Sequence, residues 1–104
     1  MRSDEWKVLL EEEPDNELVR FSYAKALLDE KSWAAAVLEF ERLVAQDPDY
    51  VIAWAFLARS ALNAGDRAKA RLAVDKGLPA ARRFGHQDPI TELEAVNREL
   101  ESDF

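Results

Sequence analysis

Pro14 and Pro48 stand 34 residues apart, and the segments that follow them align. Sliding 15–48 onto 49–82 pairs Asp15 with Asp49, Ala24 with Ala58, Leu28 with Leu62, Ala34 with Ala68, Ala36 with Ala70 and Leu38 with Leu72. Leu18/Ile52 and Lys25/Arg59 are similar pairs in the same frame. Small residues recur against small and large against large, which identity alone would not require. A repeat of this length is one supersecondary unit that buries its apolar face only against its neighbours.

The periodicity inside each unit is helical. Ser3 is expected to cap a first helix, with Asp4 and Glu5 in its first turn and Trp6, Leu9 and Leu10 on one face. Pro14 ends it. Asp15 or Asn16 caps a second helix running to about Glu30, and Ser32 caps a third from Trp33 to about Gln46. Asp47-Pro48-Asp49 is a turn before a fourth helix, Val51 to Ala64, apolar nearly all round as for a helix covered on more than one side. Asp66 caps a fifth that begins at Arg67 and carries Pro79 inside its apolar pattern. A proline there removes one donor and clashes one turn back, so a bend near Asp75 is expected rather than a stop. Gly85 suits the left-handed position after a helix. Asp88-Pro89 reads as a cap and first helical residue, followed by Ile90, Leu93, Val96 and Leu100 on one face. No segment alternates with the period of a strand. With 3 Gly and 4 Pro the chain also lacks the turn residues of a β-sandwich.

This pattern resembles the tetratricopeptide repeat, a 34-residue helix-turn-helix. In a frame counted from Glu17, the motif's small residues are Ala24 and Ala36, its aromatics Trp33 and Phe40, and its closing proline Pro48. From Val51 the corresponding residues are Trp54, Leu57, Ala58, Ala70 and Gly77. The first helix matches a trailing half-repeat through Trp6, Leu9 and Pro14. Arg20, Tyr23 and Val74 depart from the motif, and no proline closes the second repeat. The resemblance covers about residues 2–84 and implies an all-α, antiparallel helix-pair solenoid of about six helices. Its division would be a half-repeat over 1–14, a repeat over 15–48, a second over 49–84 with an extended, kinked second helix, and a capping helix over 88–104. A six-helix bundle without superhelical order is the alternative.

Nothing in the composition points to chemistry. There is no Cys and one His, His86, so thiolate nucleophiles and Cys- or two-His metal sites are excluded. The serines lack a nucleophile context, the run Glu11-Glu12-Glu13 reads as solvated surface, and no glycine-rich phosphate loop exists. No enzyme activity, cofactor or metal is expected. The net charge of -7 argues against a nucleic-acid binder. Residues 66–86 hold six cations against Asp66 and Asp75, a local +4 expected to be neutralised by the acidic last helix. The longest apolar run is far short of the ~20 residues that span a bilayer. A cytoplasmic location is expected from the missing signals alone.

The resemblance implies a protein-interaction scaffold whose first helices line a concave groove. The lining positions are Leu18, Phe21, Lys25, Leu28 and Asp29, then Ile52, Ala55, Arg59, Leu62 and Asn63. Each set is one helical stripe, apolar with a central cation. A peptide or helix of a partner is expected there, gripped by apolar contact and by Lys25 and Arg59. A second copy of the chain or its own terminal segment are the other occupants, the former making a homodimer. The family's carboxylate clamp is not expected, because Phe21 and Lys25 stand where Lys and Asn would be needed.

Overall fold

The computed structural model describes residues 1–102, which form six helices and no strand among them. These are α1 (Ser3–Glu12), α2 (Glu17–Asp29), α3 (Trp33–Gln46), α4 (Val51–Asn63), α5 (Arg67–Phe84) and α6 (Gln87–Glu101). Each helix packs on the next, and α6 also lies along α4, whereas the backbones of α2 and α4 stay apart and the two helices meet through the side chains of Phe21, Lys25 and Phe56. The result is elongated, 42 × 28 × 19 Å.

The caps explain the boundaries. The Asn16 side chain accepts from the Val19 amide at 3.1 Å and the Asp66 side chain from the Lys69 amide at 3.0 Å. Ser32 occupies the cap position of α3, but its hydroxyl makes no cap bond. Ser3 does not cap α1. It is the first helical residue, and Arg2 holds the cap position. The distant Glu30 carboxylate accepts from the Ser3 amide (2.8 Å) and hydroxyl (2.6 Å), serving an orphan amide at the start of α1 from the end of α2. Helix α6 starts two residues before the expected Pro89, with His86 at its cap, so Pro89 lies in the first turn rather than opening it. Helix α5 runs unbroken through Pro79 and ends on left-handed Gly85.

The 34-residue spacing reappears in the hydrogen bonds. Trp54 Nε1 donates to the Pro48 carbonyl at 2.7 Å, and Arg20 Nη2 donates to the Pro14 carbonyl at 3.0 Å. The Ser32 amide bonds the Leu27 carbonyl as the Asp66 amide bonds that of Ala61. Between these, Lys31 and Gly65 both take positive φ, 64° and 83°. Arg20 thus does with its guanidinium what Trp54 does with its indole. Its charge is met by Glu39 of α3, a carboxylate almost withdrawn from solvent and held also by Arg42 at 2.8 Å.

Alanines make the close crossings. Ala24, Ala36, Ala53, Ala55, Ala58, Ala61, Ala70 and Ala81 are fully buried, with Phe40, Leu43, Leu93 and Val96 filling the space beside them. Gly77 makes the closest approach. A Cβ built on it would lie 2.5 Å from the Trp54 Cβ and 3.3 Å from Leu93 Cδ1. Its tightest neighbour is therefore α4 of its own helix pair, with the capping helix second. Phe84, near the end of α5, is 46% exposed, with the Arg83 guanidinium 5.1 Å over its ring and His86 packed beside it.

Candidate functional site

The residues expected to line the groove on α2 and on α4 have different surroundings. On α2, Phe21 sits in an aromatic cluster. Its ring stacks on Tyr50 (centroids 5.6 Å apart) and packs on Phe40 (6.0 Å) and Phe56 (5.9 Å). Lys25 Nζ lies 5.4 Å over the Phe56 ring and 2.8 Å from Asp29 Oδ1, one helical turn on. Leu18, one turn before Phe21 and Ser22, is 69% exposed. Helix α1 walls this half. Met1 and Trp6 line one hollow with Phe21, Ser22, Lys25 and Asp29.

The α4 half is covered by the chain itself. Arg59 is bound by two carboxylates of α6, Glu92 and Glu99, each at 2.7 Å. The hydrogen bond from Arg59 holds the Glu99 carboxyl below its ordinary value. The same bond raises the Arg59 guanidinium, against an opposing effect of burial. Arg59 was expected to grip a partner, and it is engaged within the molecule. Ala55 is fully buried and Leu28 nearly so, and both belong to the core rather than to a binding surface. Ile52 and Leu62 are half-buried, and Asn63 and Asp29 are exposed.

Sequence reasoning missed Met1, Trp6 and Ser22 as lining residues. The signal was present for Trp6, which begins the apolar stripe of a helix followed by only a short turn. Such a helix must lie back along α2 and bring Trp6 against its far end. Ser3 and Glu30 fix that end, as described.

The basic segment 66–86 was expected to be neutralised by the acidic last helix, but its partners come from several elements, and among the described residues only Glu94 is a carboxylate of α6. Arg71 meets Asp75 and Asn97, Arg82 meets Glu94, Arg83 meets Asp49, and Lys69 meets Glu41. Arg67 donates to the Leu100 carbonyl. Among the described residues there is no cluster of metal-binding side chains, and no helix is long and apolar enough to cross a membrane.

The fold and its concave face define a short helix-pair solenoid. A tetratricopeptide repeat model matches residues 27–86, and the chain belongs to that family. It is 36% identical over 87 residues to TPR repeat-containing protein PA0015 of Pseudomonas aeruginosa, covering 84% of this chain and 83% of that one. The solution structure of protein BPP2914 from Bordetella parapertussis superposes with a TM-score of 0.80 at 32% identity, over 97% of this chain and 88% of that one. A tetratricopeptide repeat domain protein from Salinibacter ruber gives 0.74 at 27% identity, over 86% and 91%. Domains of this family generally mediate protein–protein interactions and are not catalytic.

Proposed function

We propose that this chain is a protein-interaction adaptor without catalytic activity, and that it holds a peptide or helix of a partner on the α1–α2 half of its concave face. The observation that carries this is the asymmetry between the two helices: α6 closes the Arg59 side, while on α2 Leu18 is exposed one turn before Phe21 and Ser22, which line a hollow with Trp6. An apolar side chain of a partner placed on Leu18 would remove that exposed surface from water. Of the ten lining residues named from sequence, the reading keeps Leu18, Phe21, Lys25 and Asp29 as the contact set. It retains Ile52, Leu62 and Asn63 as its margin. The division into a half-repeat, two repeats and a cap supplies the frame for this assignment.

Affinity capture with wild type and with Leu18→Glu tests it. Leu18 is exposed, so the substitution leaves the fold intact, unlike any change at Phe21. Loss of specific partners on Leu18→Glu is expected, and unchanged recovery would contradict the groove assignment. A homodimer through the same face is the second reading, favoured by the exposure of both Met1 and Leu18. Light scattering at micromolar concentration decides it, because a strict monomer leaves only an external partner.

A further inference from the structure

The open half of the concave face is set in an acidic surround. Residues 1–30 carry Asp4, Glu5, Glu11, Glu12, Glu13, Asp15, Glu17, Asp29 and Glu30 against Arg2, Lys7, Arg20 and Lys25, nine against four, a net of -5. Three of those four cations are already engaged: Arg20 by Glu39, Lys25 by Asp29 and Arg2 by Asp4. The turns that precede α2 and α4 lie at the same end of the solenoid, the end where Leu18 is exposed. They bring Glu13, Asp15, Glu17 and Asp47, none of which is in an ion pair among the described residues. Their field reaches the groove floor. The Tyr50 hydroxyl, on the ring that stacks against Phe21, is pushed up first by burial and then by Glu17 and Asp47. The chain's own basic segment relieves this charge only at Asp49, which Arg83 meets at 3.0 Å in the turn before α4, while Arg71 and Arg82 are paired elsewhere with Asp75 and Glu94.

We propose that the partner segment is a cationic amphipathic helix, its apolar side on Leu18 and Trp6 and its lysines or arginines toward Glu13, Asp15, Glu17 and Asp47. The inference rests on the groove reading above and adds the chemistry of the occupant. Apolar contact supplies the seat and the acidic turns supply orientation and choice. Like-charged partners are rejected by the same field. Lys25 lines the same hollow as Trp6, but its charge is met by Asp29 at 2.8 Å and its ammonium lies over the Phe56 ring.

Four synthetic peptides test it against the full-length protein. Three share one leucine stripe and carry Lys, Gln or Glu on the polar face, and the fourth carries the lysines without the stripe. Binding is followed by NMR shifts of the Leu18 and Ser22 amides and the Trp6 indole. The Lys peptide with the stripe should bind at least about tenfold tighter than the Glu peptide at low salt. That advantage should fall severalfold near 0.5 M salt, where the screening length drops to a few ångströms. Glu13→Gln, Asp15→Asn and Glu17→Gln combined should remove the preference while the Gln peptide binds as before. Equal binding of the Lys, Gln and Glu peptides would overturn the charge inference and leave the groove reading standing. Equal binding of the stripeless peptide, or shifts at the exposed Leu38 of α3 and Leu72 of α5 instead, would overturn both. So would the absence of groove shifts with every peptide.

Discussion

Replacing Gly77 by alanine pits two opposite effects against each other. In an exposed helix interior the exchange stabilises by about 1 kcal/mol, because alanine is the better helix former. At Gly77 the new Cβ would lie 2.5 Å from the Trp54 Cβ and 3.1 Å from its Cγ. The first distance is roughly 1 Å inside normal carbon contact. The offending atom is a Cβ, fixed by the α4 backbone, so no rotamer change moves it away. The Trp54 ring is also tethered by its bond to the Pro48 carbonyl. Helices α4 and α5 must therefore part, and overpacking of this kind costs about 1–3 kcal/mol. Net destabilisation of about 0–2 kcal/mol is expected for Gly77→Ala, and more for Gly77→Leu, which also meets Leu93. The assay is urea unfolding followed by circular dichroism. Ala68→Gly, at an exposed site on the same helix, serves as control and should lose up to about 1 kcal/mol through propensity alone. If Gly77→Ala instead gains about 1 kcal/mol, propensity acts unopposed and the close α4–α5 crossing is wrong.

Arg59→Met removes the tie between α4 and α6 and leaves Glu92 and Glu99 without their cation. A loss of about 1–2 kcal/mol is expected, with faster amide exchange confined to α6. The Glu30 carboxyl is held below its ordinary value first by the Ser3 hydroxyl and then by the Ser3 amide. A depressed folded value contributes stability above the unfolded value of about 4.3 and loses it as pH falls through the folded one. Protection of the α1 amides, measured relative to their intrinsic exchange rates, should therefore fall as the medium is acidified through the folded value, and Glu30→Gln should lower it at neutral pH and flatten the dependence. Lys31→Gly should stabilise by up to about 1 kcal/mol by relieving a left-handed residue, while Gly65→Ala at the equivalent place should cost about 1–2 kcal/mol, both read by thermal melts. Ser60 buries its hydroxyl without a hydrogen-bond partner among the described residues, so Ser60→Ala should be neutral or stabilise by up to about 1 kcal/mol in the same melts.

The fold was legible because its determinants are periodic and local. Two prolines 34 residues apart, alanines at the crossings, and Asn16, Asp66 and Gly85 at helix ends all act within a few residues of where they stand. The misplaced details depend on contacts between distant segments. Ser3 looked like a cap because serine satisfies an amide locally, and nothing nearby reveals that Glu30 does so from the neighbouring helix. Arg20 looked like a departure from the motif until Glu39 and the Pro14 carbonyl gave its guanidinium somewhere to bond. For the groove, helical spacing identified the stripe but not its depth. Leu28 and Leu18 lie on the same predicted face, yet one is 8% and the other 69% exposed. Burial is set by neighbouring helices, which a stripe does not encode. The fate of Arg59 was equally out of reach, since i, i+7 spacing places Glu92 and Glu99 on one face of α6 without saying which helix that face meets.

The central claim is that the α1–α2 half of the concave face, and no other surface, receives the partner. A photo-crosslinking amino acid placed singly at Leu18 or at Leu72 tests it most directly, because both leucines are exposed and Leu72, on α5, lines a different hollow with Glu41, Val44 and Trp54. The two variants would be exposed to the same lysate and their adducts identified by mass spectrometry. Specific adducts should form from Leu18, carry a defined peptide of the partner, and disappear when Trp6 is changed to Ala. Adducts of the same partner from Leu72, with none from Leu18, would contradict the account.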